Sequence, residues 1–373
     1  MPTPASLIRS FTYRSRHVFR HFHSREVWRR FRTAAKHYDV STLWVFVRAL
    51  QLYKAGRFLP HESLAKGLID PAVPIETSFD HFSEERLHAL QIAANSPNAE
   101  ACRDKLLFHV YCEAHELPTP PLLGVLSPHG SRDGAGRLLA GDAAWDSFVA
   151  SIETNIVAKP RNGKQGRDIE RITVDVGEPR HPEGSASPPL ERLRCNLRED
   201  YILEECLVAH EDIQKLTGSK SISAVRIITC VNPAGEVRLL DAYFRLVVGD
   251  SVTDNISDPE TGLFSGNILA TPNLDSGSVE SAWAPNADGV GYSEITRHPG
   301  TGREVIGFTV PDWSEVRALV IKAATAFVPI RVVGWDVAIT PSGPVLIEAN
   351  ERFKHSASGG RVWEIRRALA ELG

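Results

Sequence analysis

The sequence predicts an α+β fold, and three observations predict it. Two apolar strand pairs, 223–249 and 331–350, each close on a turn rich in proline, glycine or serine. Stretches with helical spacing and no internal proline stand apart from them, as at 101–115 and 314–327. Strands and helices do not alternate regularly, so a doubly wound parallel sheet is not expected.

From Leu7 to Leu52 no proline or glycine interrupts the chain, and aromatics recur among arginines (Phe11, Tyr13, Phe19, Phe22, Trp28, Phe31), which reads mostly as helix. Residues 60–97 hold two short helical pieces. The second, Ser83 to Ala94, opens on an amino-capping serine followed by Glu84 and Glu85. A helix over Ala101 to His115 precedes the turn Leu117 to Pro121 and a strand, Leu122 to Leu126. A connector rich in Gly, Asp and Ala leads to a helix around Trp145 to Ile152. Strands Asn155 to Lys159 and Asp168 to Val174 flank the loop Pro160 to Gly166, and Gly177 to Pro189 reads as a surface loop. Tyr201 to Leu207 is a strand. Ser223 to Asn232 and Val237 to Gly249 then alternate about the turn Pro233-Ala234-Gly235. Ser314 to Phe327 is an amphipathic helix with Pro311 just before it, and the chain closes with a hairpin, Arg331 to Asn350, and a helix near Trp363 to Leu372.

Of the 373 residues 42% are apolar and 24% charged, which excludes wholesale disorder and leaves enough core for two or three subdomains. Five cysteines (Cys102, Cys112, Cys195, Cys206, Cys230) form no CxxC pair, and with no signal-peptide core the expectation is reduced thiols and a cytoplasmic location. No apolar run reaches the roughly 18 residues of a spanning helix, so no transmembrane segment is expected. The net charge of −4 hides an asymmetry: residues 1–60 hold twelve Lys or Arg against Glu26 and Asp39, a surplus of ten, so the remainder carries fourteen negative charges. The basic stretch reads either as a solvated surface helix pair or as an amphipathic face for anionic lipid or a polyanionic glycan. No nucleic-acid partner is expected.

The closing hairpin carries the strongest chemical signal. Val332 to Ile339 is apolar but for Asp336, and Val345 to Asn350 is apolar but for Glu348 and Asn350. Pairing symmetric about Ser342 sets Asp336 opposite Glu348, roughly 5 Å away, and alternation puts Glu348 and Asn350 on one face. Two facing carboxylates repel unless a cation or a shared proton lies between them. Hard oxygen donors without Cys or His suit Mg²⁺ or Mn²⁺. The competing reading is a pair of strand-end carboxylates facing solvent.

Upstream signals are individually weaker. Lys159 ends an apolar strand and is followed by a loop containing Gly163 and Gly166, so its ammonium could meet phosphate oxygens while loop amides cover them. Glu204, Glu205 and Leu207 lie where the strand from Tyr201 breaks, a hinge that could offer backbone groups to adenine and a carboxylate to ribose. Arg226 and Arg245 each sit inside an apolar strand and each needs an anion, either a carboxylate of the protein or a phosphate.

Taken in order, these pieces resemble the ATP-grasp superfamily: Asp104-Lys105, Lys159-Pro160 with its glycine loop, the Glu204-Glu205-Cys206-Leu207 hinge, and Asp336 with Glu348-Ala349-Asn350. More narrowly, residues 80–355 resemble the sugar-transfer-associated ATP-grasp family (alpha-L-glutamate ligase-like). Ser223 to Thr229, Phe244-Arg245-Leu246, Thr253-Asp254-Asn255, His298 to Gly302 and the closing hairpin carry that likeness. Where the family often shows Gly-Gly after Asp-Asn, this chain has Ser265-Gly266. The region before Lys105 reads as helix, so the usual acceptor-binding domain is expected to be reduced or replaced.

The resemblance implies an ATP-grasp fold, with ATP between two α+β subdomains and Mg²⁺ or Mn²⁺ as the metal. The organisation it implies is a basic helical region at 1–80, a preceding segment at 81–130, a first subdomain at 131–207 and a second at 208–373. Lys105 and Lys159, with Gly163 and Gly166, would contact phosphates; Glu204, Glu205 and Leu207 would meet adenine; Glu211, seven residues past the first hinge acid, would take the ribose hydroxyls. Asp336, Glu348 and Asn350 would hold metal. Arg226 would neutralise developing charge, and Arg245 would meet the transferred phosphoryl group or the tetrahedral intermediate. Asn255, His298, Lys354 and His355 are candidates for the acceptor side. The activity implied is a carboxylate–amine ligase working through an acyl phosphate on a sugar, amino acid or glycan-linked substrate, in polysaccharide or natural-product biosynthesis. A kinase acting on a hydroxyl and a non-catalytic nucleotide-binding subunit in glycan assembly are the alternatives.

Overall fold

A computed structural model of the chain describes residues 22–163, 168–175, 178–180, 189–249, 254–256, 265–355 and 360–372. The expectations for residues 1–21, with Phe11, Tyr13 and Phe19, and those for Gly166 and Thr253 lie outside the described residues. The chain divides into two compact units. One comprises the residues up to Ala94 with Trp283–Glu294 and Arg352–Gly373, and the other comprises Asn95–Ala282 with Ile295–Glu351. The first unit therefore extends beyond residues 1–80 and is built from three separate stretches of chain.

The first unit is helical. Helices α1 (Arg25–His37) and α2 (Thr42–Gly56) are each opened by a serine, Ser24 and Ser41, whose hydroxyl accepts from a backbone amide of the first turn. Then come α3 (Pro60–Ala65), a 3₁₀ turn (Ile75–Asp80) and α4 (Glu84–Ala94). Phe22, Phe31, Leu52, Phe58 and Leu64 form its core, with Trp28 stacked on Phe46 at 5.4 Å. The strand Tyr292–Glu294 and the closing helix Gly360–Ala370 belong to the same unit. Among the described residues no helix is long and apolar enough to cross a membrane, and all five cysteines are free.

The second unit opens with α5 (Glu100–Arg103) and α6 (Lys105–Ala114). The single helix expected over 101–115 is broken at Asp104. Its backbone is extended there, and its carboxylate caps the amides of Leu106 and Leu107 at 3.0 and 3.1 Å. Strands β1 (Leu122–Leu126) and β2 (Arg132–Asp133), helix α7 (Gly141–Ala150), strands β3 (Ile156–Pro160), β4 (Glu170–Asp175) and β5 (Glu178–Arg180), helix α8 (Pro189–Asn196) and strand β6 (Tyr201–Glu205) follow. They make a sheet of order β2-β1-β6-β3-β4-β5, antiparallel throughout. Its core packs Trp145 and Phe148 of α7 and Leu190 and Leu193 of α8 against Ile156, Ala158 and Leu203.

Helix α9 (Glu211–Thr217) leads to β7 (Val225–Val231), β8 (Val237–Leu246), β9 (Ile268–Pro272) and β10 (Val279–Pro285), whose last residues pair with β11 (Tyr292–Glu294) in the first unit. After α10 (Trp313–Ala326) come β12 (Val332–Thr340) and β13 (Gly343–Asn350), giving the order β10-β9-β8-β7-β12-β13 within this unit. Helix α10 buries Val316, Leu319, Val320 and Ala323, one face at helical spacing, and packs on β7, β8, β12 and β13. Trp335, fully buried, meets Phe327 edge-on at 5.0 Å and donates from its indole nitrogen to Thr229 at 2.8 Å. Tyr111 of α6 donates to the Ala326 carbonyl at 2.7 Å, fixing α6 to the end of α10.

The register of the closing hairpin has two parts. Thr340 pairs with Gly343, so the turn is centred one half-residue before Ser342, and Val337 pairs with Leu346. Ile347 is then left over as a bulge, which restores Asp336 opposite Glu348. The bulge sits immediately beside the carboxylate and sets Glu348 and Asn350 on the register that the symmetric pairing predicts.

Candidate active site

Lys105 is the first residue of α6, and it is fixed through Arg161. The Arg161 carbonyl accepts from the Lys105 amide at 3.1 Å, while its guanidinium grips Asp104 at 2.7 and 2.9 Å and Asp200 at 3.2 Å. The Lys105 ammonium then donates to the Gly163 carbonyl at 2.6 Å and stands 3.8 Å from Glu348. Gly163 closes a turn on the Pro160 carbonyl, and a Cβ there would lie 2.9 Å from the Pro160 Cβ, so the turn requires glycine. Burial lowers the Lys105 pKa; Glu348 opposes the shift and Lys159 adds to it.

Lys159, at the end of β3, is 9% exposed, and its ammonium lies 2.5 Å from one oxygen of Glu204. The other Glu204 oxygen accepts from Nε2 of His109 at 2.8 Å, and Nδ1 of His109 faces the Thr119 hydroxyl at 3.2 Å. Burial by itself would raise the Glu204 pKa, but the Lys159 charge and the His109 hydrogen bond outweigh it and hold the carboxyl below its ordinary range. The Glu204 side chain is 2% exposed and anchors Lys159. Glu205 is half-buried and its amide donates to the Pro121 carbonyl at 3.0 Å, while the Cys206 amide donates to Asn155 at 2.7 Å. Leu207 is half-buried just past the strand end. Glu211 opens α9 with its side chain 75% exposed, 3.5 Å from Lys215, one turn on.

Arg226 and Asp336 are direct cross-strand neighbours on β7 and β12. The guanidinium donates to both carboxylate oxygens, Nε at 2.7 Å and Nη2 at 2.6 Å. Arg245 on β8 reaches Asp336 at 3.1 Å and Asp254 at 3.2 Å, and Asp254 also accepts from the Ala224 amide at 2.9 Å. Burial would raise the Asp336 pKa, yet the two arginines bring it below the ordinary value. Asp254 is raised by burial, with Arg245 opposing and Asp336 adding to the rise. Of the two anions either arginine could have taken, the protein supplies the carboxylate.

Among the described residues two buried donors on these strands have no hydrogen-bond partner: Nε of Arg245 on β8 and Nδ2 of Asn350 on β13. Such atoms cost free energy unless an acceptor arrives. An amide turned end for end presents oxygen instead, so Asn350 suits either a phosphate oxygen or a cation. Among the described residues no group of three or more His, Cys, Asp or Glu is placed to hold a metal ion. The candidate set has two carboxylates and one amide. Glu348 and Asn350 fit a hard divalent cation, while Asp336 already accepts from Arg226 at both oxygens and from Arg245 at one.

The residues expected on the acceptor side have these surroundings. His298 is fully buried, with Nε2 donating to the Val247 carbonyl at 2.9 Å and Nδ1 accepting from the Thr301 amide at 3.3 Å. Burial lowers its pKa, so it fastens a loop as a neutral ring. The Asn255 carbonyl accepts from Asn267 at 2.9 Å. Lys354 and His355 are residues of the first unit. Lys354 pairs with Glu84 at 2.8 Å, and His355 is 4% exposed, edge-on to Phe82.

Sequence reasoning missed His109 and the pairing role of Asp254. The signal for His109 is its spacing, four residues after Lys105, on the buried face of α6 with Phe108 and Cys112.

A family model described as sugar-transfer associated ATP-grasp matches residues 88–359. No curated protein sequence matches the chain. Solved structures similar to it include an L-amino acid ligase from Bacillus licheniformis, with 13% identity, a TM-score of 0.37, and coverage of 78% of this chain and 45% of that one. The N5-carboxyaminoimidazole ribonucleotide synthetase from Thermotoga maritima has 13% identity, a TM-score of 0.40, and coverage of 79% and 57%. The VanG D-Ala:D-Ser ligase from Enterococcus faecalis has 11% identity, a TM-score of 0.40, and coverage of 73% and 60%. The chain thus spans about half the length of these structures. With well over half of its own residues matched by the family model, the chain belongs to the sugar-transfer associated ATP-grasp family.

Proposed function

We propose that this chain is an ATP-dependent carboxylate–amine ligase that forms an amide through an acyl phosphate. The observation that carries the reading is the pair of buried donors left unsatisfied among the described residues, Arg245 Nε in the charge cluster of β7, β8 and β12 and Asn350 Nδ2 on β13. Donors left without an acceptor in so paired a cluster suit an anionic group that comes and goes, and a phosphoryl group is such an anion.

In this reading Lys105 and Lys159 take phosphate oxygens of ATP. Lys159 is aimed by Glu204 and His109, and Lys105 by the Gly163 carbonyl. Glu348 and Asn350, joined by Asp336, would hold Mg²⁺, whose charge neutralises the phosphates and favours attack at the γ-phosphorus. A substrate carboxylate attacks that phosphorus and ADP departs. Arg245 and Arg226 then stabilise the transferred phosphoryl group, and an amine displaces phosphate from the acyl carbon.

A screen of amino acids and uronic acids for ADP and free phosphate tests this. The expected result is ADP and phosphate in equal amounts only when carboxylate and amine are both present. Turnover that leaves the phosphate on a hydroxyl product would overturn the ligase reading.

A further inference from the structure

The strongest feature that the proposed chemistry leaves unused lies in the first unit, on α1 and α2. Arg25, Arg29, Arg32 and Lys36 are all exposed, and their spacing of four, three and four sets them on one face of α1. The opposite face is spent on the core, where Phe31, Ala34 and Ala35 are buried and Val27 and Trp28 are packed. Arg29 has Glu26 at 2.8 Å, while no ion pair holds Arg25, Arg32 or Lys36 among the described residues. On α2 the exposed residues include Leu43 at 66% and Val47 at 44%, one turn apart. Residues 1–60 carry a surplus of ten positive charges against fourteen negative in the remainder.

We infer that this helix pair docks the chain on an anionic lipid surface. The cationic stripe meets headgroup phosphates as fixed charges. Because the apolar face of α1 is already buried, the helix lies on the headgroups and does not insert, so binding is reversible and salt-sensitive. Exposed Leu43 and Val47 favour a bilayer over a free polyanion, since an interface accepts apolar side chains and a polyanion in water does not. The inference does not depend on the ligase chemistry.

The test is co-sedimentation of the full chain with vesicles of phosphatidylglycerol and phosphatidylcholine in equal parts, compared with phosphatidylcholine alone. Binding is expected only to the anionic vesicles, with release near 1 M salt, where screening acts within about 3 Å. Each cation contributes about fivefold, so Arg25→Glu/Arg32→Glu/Lys36→Glu should lower binding by about a hundredfold or more. Its circular dichroism and melting temperature should match those of the parent. Leu43→Ser/Val47→Ser should weaken vesicle binding several-fold. Equal binding to both vesicle types, or none to the anionic ones at low salt, overturns the inference. So does heparin binding that matches vesicle binding and is insensitive to Leu43→Ser/Val47→Ser, because the face would then serve a soluble polyanion. A dimer in light scattering that the charge variant dissolves would assign the face to a second copy of the chain and also overturn it.

Discussion

Arg226 on β7 and Asp336 on β12 occupy one register position of neighbouring strands, and the guanidinium closes on the carboxylate at two points, 2.7 and 2.6 Å. The acid that opens the candidate metal set is therefore also the acid that neutralises two strand arginines. In the proposed reading, a cation at Glu348 and Asn350 would share Asp336 with Arg226 and Arg245, and a phosphate would offer those arginines a second anion.

Removing one partner of this buried pair strands the other. Arg226→Met should destabilise the fold by about 3–5 kcal/mol, read from urea denaturation. Arg226→Met combined with Asp336→Asn should cost less than the sum of the single variants, because the two changes share one interaction. Strict additivity would show that the pair is not coupled.

His109 acts on Lys159 through Glu204. His109→Leu leaves one Glu204 oxygen buried and unbonded, at a cost of about 1–3 kcal/mol. The freed carboxylate also holds the Lys159 ammonium less firmly. Calorimetry with ATP should show weaker binding than in the parent, and His109→Gln, which keeps a donor, should restore part of it. Unchanged ATP affinity in His109→Leu would remove the positioning role.

Glu348 is partly exposed, and among the described residues it meets no cation closer than Lys105, at 3.8 Å. Its loss should leave the fold intact. Glu348→Ala should abolish Mg²⁺-dependent ATP turnover with a melting temperature within a few degrees of the parent, since exposed substitutions generally stay within about 0.5 kcal/mol. Near-normal turnover would remove Glu348 from the metal set.

In the first unit His81 is 8% exposed, and burial, with the Lys66 charge next, drives its pKa from 6.5 down to about 3. The unfolded chain takes up a proton near 6.5, and the folded chain does so only near 3. The stability this contributes is whole above pH 6.5 and is lost as pH falls through that window, by up to about 1.4 kcal/mol per pH unit. Melts compared down to about pH 5 carry this loss together with that of His298, whose pKa burial also lowers, and keep it apart from Glu84, which burial raises but His61 and Lys354 hold at about 2, so that its own loss comes only below 4.5. His81→Gln should flatten the slope over that range, and an unchanged slope would assign it to other groups.

The sequence by itself determined the elements whose patterns are local. Strand β1 matches its expected bounds, and α10 and the β7–β8 and β12–β13 hairpins fall within one to three residues of theirs. Their side-chain periodicity and turn chemistry are written in consecutive residues. Elements without such a pattern were not legible: α8, α9, β2, β5 and the strands from β9 to β11 are short or lie in polar stretches, and neighbours across the sheet decide the strands, as core packing does α8. Asp104 shows a local rule defeating a periodic one, since its carboxylate caps a new helix and divides the segment in two.

For the site, the sequence supplied Lys159, the two strand arginines and the acids of the hairpin, because a charge inside an apolar strand stands out in one dimension; Lys105, at the start of a helix, came only from the family resemblance. Which charge meets which was left to the tertiary structure. Asp336 finds Arg226 only because β7 and β12 are neighbours, although 110 residues separate the two positions. Glu204 finds Lys159 and His109 through β3 and α6. Ion pairing depends on distance in space, and strand order fixes that distance. The hairpin was thus legible as a set of oxygen donors, and the fold alone decided that one of them, Asp336, is already held by two arginines.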